Sequence, residues 1–333
     1  MKKEKNSSGY TFALLIVILV AVFVIFFIFK FNDEKPIGEV RNNNGSSSEN
    51  SAVPADVIVD VTEATTEPSP ELEFSEYELY SNNILLTDSE GNILYEKNSD
   101  ERFYPASLTK IMTVIVALEN LDDLDYKVQI PGYIYDYIVA EEASTAGFEA
   151  YDTVTVEDLL YGAILSSGAE CCLTLADMIS GTEYDFVCLM NDKAEKLGMD
   201  NTNFTNCTGL HNYDHYSSAE DISVLLRYAL ENPEFRRIFT RDSYYTETPY
   251  NPYGIILSST MFSFVEDGYY PFELLGGKTG YTQEAGLCLA SAAEINEKEY
   301  ILVTAGADGS HMTDPYHIED ALTVYGRLAE CMD

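Results

Sequence analysis

The chain has 333 residues, 46% of them hydrophobic, which is enough for a sizeable core and excludes a wholly disordered protein. Its 56 acidic and 19 basic side chains leave a formal charge of -37. That balance excludes nucleic acid as a partner, because a polyanion is held by clustered Lys and Arg.

Residues 1–10 carry Lys2, Lys3 and Lys5 and read as a cytoplasmic tail. From Thr11 to Phe29 runs TFALLIVILVAVFVIFFIF, 19 residues without a charge. As a helix this stretch would extend about 28 Å and match the hydrocarbon core of a bilayer. The flank NDEKPIGE mixes signs, so the lysine bias places the N-terminus inside and the rest of the chain outside. No A-x-A cleavage site follows directly, and the apolar run is long for a signal peptide, so it reads as an uncleaved, single-pass signal anchor. Residues 30–76 hold NNNGSSSENS and TEATTEPSPELE, with no sustained period, and read as a disordered acidic tether.

Residues 77–333 form the exported domain. NNILLTDSEGNILYEKN, over 82–98, predicts two strands around the turn Ser89-Glu90-Gly91-Asn92. A helix begins near Ser107, with Ile111, Val114, Ile115 and Leu118 on one face. Thr155 opens a second helix with an acid at its third position; Ser166-Ser167-Gly168 interrupts it before apolar residues resume at Cys172. SSAEDISVLLRYALENP, from Ser217, is another capped helix, ended near Pro233. GLCLASAAE (286–294) and YILVTAGAD (300–308) form a predicted hairpin through INEKE, and PYHIEDALTVYGRLAE is a closing helix. Strands at both ends with helices between predict one mixed sheet whose edges come from distant parts of the chain, plus a helical subdomain, an α+β class.

The six cysteines, Cys171, Cys172, Cys188, Cys207, Cys288 and Cys331, permit disulfides outside the cell. A domain of this size does not need them, and free, buried thiols are expected. No Cys or His cluster has zinc-ligand spacing, and no metal or organic cofactor is implied.

YPASLTKIMTVIVALE, from Tyr104, places a serine three residues before a lysine as an apolar run begins. Ser107 is either a helix cap or a nucleophile with Lys110 as its base. The usual histidine base is missing: His211, His215, His311 and His317 all fall in polar, loop-like stretches, without a G-x-S-x-G elbow. His211 and His215, four apart, lack the glutamate of a zinc-peptidase motif. A lysine can act as base only when neutral, through desolvation or a neighbouring cation. Lys278, in Gly277-Lys278-Thr279-Gly280, is a candidate for that cation, and its flanking glycines would let a peptide approach the strand.

Ser107-Leu108-Thr109-Lys110, then Ser167-Gly168, then Lys278-Thr279-Gly280 resemble, in order and spacing, the three motifs of penicillin-binding serine D,D-peptidases and serine β-lactamases. NTNFTNCTGLHNYDHYSSAEDISVLLRYAL and GGKTGYTQEAGLCLASA are similar to the low-molecular-weight D-alanyl-D-alanine carboxypeptidases, over about residues 82–328. The resemblance implies an antiparallel sheet flanked by helices. It implies Ser107 as acylated nucleophile, Lys110 as general base and Ser167 as proton relay. Lys278 and Thr279, with Gly280 and Tyr281 beside them, would bind the peptide's terminal carboxylate, and the backbone N–H groups of Ser107 and Tyr281 would receive the oxyanion.

The expected activity is removal of the terminal D-Ala from peptidoglycan stem peptides by a membrane-anchored enzyme, with β-lactams as acylating inhibitors. Many such proteins carry a further β-rich domain and a C-terminal membrane helix, which the N-terminal anchor would replace. One departure is in the second motif, normally Ser-x-Asn, where this chain has Ala169; Glu170 or a nearby Asn is expected to substitute in part for the amide. The alternatives are a catalytically weak wall-binding member of the same fold and a serine β-lactamase, although no clear E-x-x-x-N signature supports the latter.

Overall fold

The computed structural model describes residues 72–75, 77–266 and 268–332. The tail, the anchor over 11–29 and most of the tether lie outside these residues. Among the described residues no helix is long and apolar enough to cross a membrane.

Strands β1 (Asn83–Asp88) and β2 (Ile93–Lys97) form the predicted N-terminal hairpin, and β7 (Glu273–Thr282), β8 (Gly286–Ile295) and β9 (Lys298–Ala307) the C-terminal part of one sheet. Its order is β2-β1-β9-β8-β7, so the edges do come from opposite ends of the described chain. Every neighbouring pair is antiparallel, with Leu85 opposite Val303 and Lys278 opposite Ala290; the sheet is therefore not mixed. Two short hairpins complete the strands: β3 (Lys127–Gln129) with β4 (Thr153–Thr155), and β5 (Ser243–Thr246) with β6 (Ile255–Ser258).

Alternation along the central strands sorts their side chains into two cores. Leu85, Ala290, Ala292, Ile301 and Val303 face the helical body, while Ile84, Leu86, Leu289, Ala293 and Leu302 face the closing helix, α8 (Tyr316–Met332). Ser291 and Tyr325 join sheet to α8 through a 3.1 Å hydroxyl contact. Asp320 of α8 accepts the N–H groups of Tyr80 (2.9 Å) and Ser81 (2.7 Å), fixing the entry into β1. Leu72 and Phe74, in the stretch read as tether, already pack here: Leu72 is buried, and Phe74 meets Tyr95 edge-on at 4.8 Å.

The helical body is built on α1 (Thr109–Asn120), around which lie α2 (Ile134–Ala140), α3 (Val156–Ile164), α4 (Ala169–Ser180), α5 (Glu183–Leu197), α6 (Ala219–Glu231) and α7 (Pro233–Phe239). The expected one-sided α1 is buried on all sides from Thr109 to Ala117, because its sequence is apolar nearly all round. Thr155 and Asp158 form the capping box that starts α3, and Ser218, rather than Ser217, caps α6. The break at 166–168 separates α3 from α4 as predicted.

All six cysteines are free thiols, four of them buried. Cys188 and Cys331 are exposed, contrary to expectation; Cys188 lies off the face of α5 that buries Phe186, Val187, Met190 and Ala194. His317 is not in a loop but in the first turn of α8, where it is buried.

Candidate active site

The chain enters α1 through a single tight turn, Ala106–Leu108, with Ala106 in the left-handed region at φ 46°. Ala106 is buried, and the surrounding packing holds it in this strained conformation. Leu108, not Ser107, occupies the cap position of α1, and no side chain caps it. Ser107 Oγ instead accepts a hydrogen bond from Lys110 Nζ at 2.9 Å. One helical turn explains the reach, since residues three apart share a face.

Lys110 is 2% exposed. Burial holds its ammonium below the ordinary lysine range; Cys172, the foremost group opposing this, is itself pushed up to about 11 by burial and is a neutral thiol at pH 7. Lys110 Nζ also donates to Thr208 O at 2.6 Å. That carbonyl is held by a turn in which Asn206 Oδ1 accepts the N–H groups of Thr208 (3.1 Å) and Gly209 (2.7 Å). Gly209 has φ 84°, and a Cβ there would lie 1.9 Å from Ala106 O, so only glycine lets this turn back onto the serine. Behind it, His215 Nδ1 accepts the Thr205 N–H at 3.1 Å, which leaves Nε2–H to donate to Thr109 Oγ at 2.8 Å. Burial pushes His215 down to about 4, so it is a neutral packing group.

A second serine–lysine pair faces the first. Lys278, fully buried on β7, donates to Ser167 Oγ at 3.1 Å and to Thr279 O at 2.8 Å. Burial, reinforced by repulsion from Lys110, holds it well below the ordinary range. Of the two expected causes, desolvation and a neighbouring cation, desolvation is the foremost at both lysines. Ser167 is itself left-handed at φ 61° and is gripped from outside: Ser144 Oγ donates to Ser167 O, and Ala169 N donates to Ser144 O, both at 2.8 Å. Thr279 Oγ shares a proton with Thr260 Oγ at 2.5 Å.

The glycines flanking the lysine make room for the protein's own packing. A Cβ at Gly277 would meet Met261 Sδ at 2.2 Å, and one at Gly280 would lie 3.0 Å from Ser107 N. The edge strand β7 thus runs against the turn that carries Ser107. Ser107, Lys110, Ser167, Thr279, Gly280 and Tyr281 line one cavity of about 310 Å³; Lys278 lies behind its wall. Sequence reasoning missed Thr208, Thr260 and Ser144, whose contributions are a carbonyl or a hydroxyl supplied across long sequence separations. Asn206-Cys207-Thr208-Gly209, a turn-like Asn and Gly pair, was the signal available for the first.

Residues 67–309 match the family described as D-alanyl-D-alanine carboxypeptidase. The chain belongs to the D-alanyl-D-alanine carboxypeptidase family. It is 34% identical over 225 residues to the D-alanyl-D-alanine carboxypeptidase DacF of Bacillus subtilis, covering 67% of this chain and 56% of that protein. It is 33% identical over 236 residues to DacD of Escherichia coli, covering 68% and 58%. The chain thus spans just over half the length of these curated relatives. The crystal structure of the Streptomyces K15 DD-transpeptidase superposes with a TM-score of 0.66 at 30% identity, covering 76% of this chain and 99% of that one. The expected fold, the penicillin-binding D,D-peptidase architecture, is therefore present.

Within this family architecture, Ala169 lines the cavity where the amide of Ser-x-Asn would project. Glu170 does not stand in for that amide. It turns away, and its Oε1 accepts the N–H groups of Ala146 (2.6 Å) and Gly147 (3.2 Å). Asn206 is equally committed, to Thr208, Gly209 and Leu210. Among the described residues no group of three or more His, Cys, Asp or Glu is placed to hold a metal.

Glu170 Oε2 is buried without a hydrogen-bond partner, and burial pushes the carboxyl up to about 7. A folded value above the ordinary 4.5 means that its contribution is fully present below pH 4.5 and is lost as pH rises through about 7. Glu170→Gln stays neutral throughout. We expect its stability relative to wild type, measured by urea unfolding, to be more favourable at pH 8 than at pH 5 by about 2 to 3 kcal/mol. An equal difference at both pH values would show that this carboxyl titrates normally.

Proposed function

We propose that this chain is a serine D-alanyl-D-alanine carboxypeptidase that removes the terminal D-alanine of peptidoglycan stem peptides through an acyl-enzyme on Ser107. The observation that carries the reading is Lys110 Nζ, buried and depressed in its proton affinity, 2.9 Å from Ser107 Oγ on the cavity floor. Family membership supports the same chemistry.

Neutral Lys110 takes the proton as Ser107 Oγ attacks the carbonyl carbon of the penultimate D-Ala. The oxyanion is received by the N–H groups of Ser107 and Tyr281, each worth about 3 kcal/mol by comparison with other oxyanion holes. The peptide C–N bond then breaks, and the leaving amine gains its proton through the Ser167 hydroxyl, which Lys278 holds in place. Water attacks the resulting ester, its proton returns to Ser107 Oγ by way of Lys110, and the shortened peptide leaves as a carboxylate. With a β-lactam the broken C–N bond lies in a ring, so the leaving group stays attached and the adduct persists.

The anchor belongs to this proposal. Residues 11–29 would hold the protein in the bacterial cell membrane as a single pass, with the acidic tether carrying the catalytic domain on the outer side. A second reading, a wall-binding member with little turnover, is favoured by one observation: no amide replaces Ala169. A lost hydrogen bond of about 1 to 3 kcal/mol reduces rate roughly 5- to 150-fold, whereas losing a nucleophile costs about a millionfold in subtilisin. Slowed catalysis therefore accounts for Ala169 better than none.

Intact-mass analysis after incubation with penicillin should show one stable adduct that is absent in Ser107→Ala, and a D-Ala-D-Ala peptide should lose one alanine. Peptide binding without alanine release would select the wall-binding reading, and rapid penicillin turnover would select a β-lactamase. Ala169→Asn should raise peptide turnover by roughly 5-fold or more; an unchanged rate would show that the missing amide is not limiting. The full chain should fractionate with membranes and a version lacking residues 1–30 should not, and equal partitioning of the two would remove the anchor.

A further inference from the structure

Histidines aside, Lys110 and Glu142 are the only ionisable groups with ordinary charge among the described residues lining the cavity. Lys110 is almost fully buried and makes its hydrogen bonds to Ser107 Oγ and Thr208 O. Glu142 is exposed, and no ion pair among the described residues includes it. It stands two residues before Ser144, whose hydroxyl donates to Ser167 O, so the two α-carbons lie within roughly 7 Å of each other.

The backbone at this position makes a glutamate an unusual occupant. Helix α2 closes with hydrogen bonds from Ala143 N to Ile138 O at 3.0 Å and from Glu142 N to Val139 O at 3.5 Å. That closure puts Glu142 in the left-handed region at φ 50°, a place that glycine favours because it has no Cβ to strain. Helices α4 and α5 do end on left-handed glycines, Gly181 and Gly198. An acid here also faces the negative end of α2, whose last turn carries no basic residue, and it adjoins a second acid, Glu141. Glu142 therefore breaks two local preferences and finds no cation inside the protein to offset them. Departures of this kind concentrate at functional sites.

We propose that Glu142 is a specificity-determining residue whose carboxylate pairs with the side-chain ammonium of a diamino acid placed immediately before the D-Ala-D-Ala terminus. The inference rests on the carboxypeptidase reading, which sets the carbonyl of the penultimate D-Ala at Ser107. The α-carbon of the preceding residue is then about 3.8 Å further along the peptide. A lysine-length side chain on it carries a flexible point charge outward, and an ammonium needs no fixed fork geometry to meet a carboxylate. Because Glu142 is exposed, the pair discriminates modestly and is screened by salt.

The test titrates two peptides calorimetrically, at low salt, into the full chain carrying Ser107→Ala so that no turnover intervenes. One is Nα-acetyl-L-Lys-D-Ala-D-Ala; the other is its Nα,Nε-diacetyl counterpart, which lacks the side-chain charge. The free-amine peptide should bind about fivefold tighter, and the ratio should fall toward one in about 0.5 M salt. Adding Glu142→Gln or Glu142→Gly should bring the ratio to about one while leaving the affinity of the diacetyl peptide unchanged, and Glu142→Lys should invert it. Glu142→Gly should also raise the urea midpoint of unfolding, since glycine relieves the left-handed backbone; a purely structural glutamate would not combine lost selectivity with gained stability. A ratio that survives Glu142→Gln, a lower midpoint in Glu142→Gly, or failure of both peptides to bind would overturn the proposal. D-Alanine release by the chain with Ser107 intact is scored separately. Absent release with a Glu142-dependent ratio would fell the carboxypeptidase reading and leave the ammonium site standing; release with a Glu142-independent ratio would do the reverse.

Discussion

Burial of two ammonium groups is the constraint on which the rest of the site depends. Lys110 and Lys278 come from a central helix and an edge strand, and both are almost fully withdrawn from water. Each finds only one hydroxyl and one carbonyl as hydrogen-bond partners, with no carboxylate in contact. Uncompensated burial of this kind disfavours the charged form, and the repulsion between the two works in the same direction. A lysine placed so gives up its proton more readily than one in water, which is the property the proposed role of Lys110 beside Ser107 requires.

Holding those ammonium groups in place demands unusual backbone around them. Both serines stand at strained turns, with Ala106 next to one and Ser167 itself left-handed. The turn at 206–209 supplies the carbonyl for Lys110 and closes over Ala106 through a glycine that no side chain could replace. The turn at 144–147 grips the Ser167–Ala169 segment through one hydrogen bond to Ser167 O and one from Ala169 N, while Glu170 fixes its far side. Strain of this kind persists because neighbouring elements leave the chain no other arrangement.

The departures from expectation follow one pattern. Glycines flanking Lys278 admit Met261 and the turn that carries Ser107, and Glu170 serves a loop instead of replacing an amide. Both stretches are occupied by the protein's own close packing, as interiors at near-crystalline density require. The wall opposite the lysines is lined by hydroxyls and imidazoles from the segment that follows β9.

Much of the architecture was legible in the sequence because its signals are local. The hairpin turn at Ser89–Asn92, the capping box at Thr155 and Asp158, and the polar INEKE joining β8 to β9 each lie within a few residues of what they specify. The pairing of Ser107 with Lys110 is likewise local, since one turn of helix brings the two together. What only the tertiary structure decided was whether Lys110 could be neutral, where Glu170 points, that α1 is buried on all sides, and that His311 faces Tyr281. Those depend on which distant segments exclude water or supply a partner. Solvent exclusion belongs to the packed whole, so no spacing within the chain encodes it.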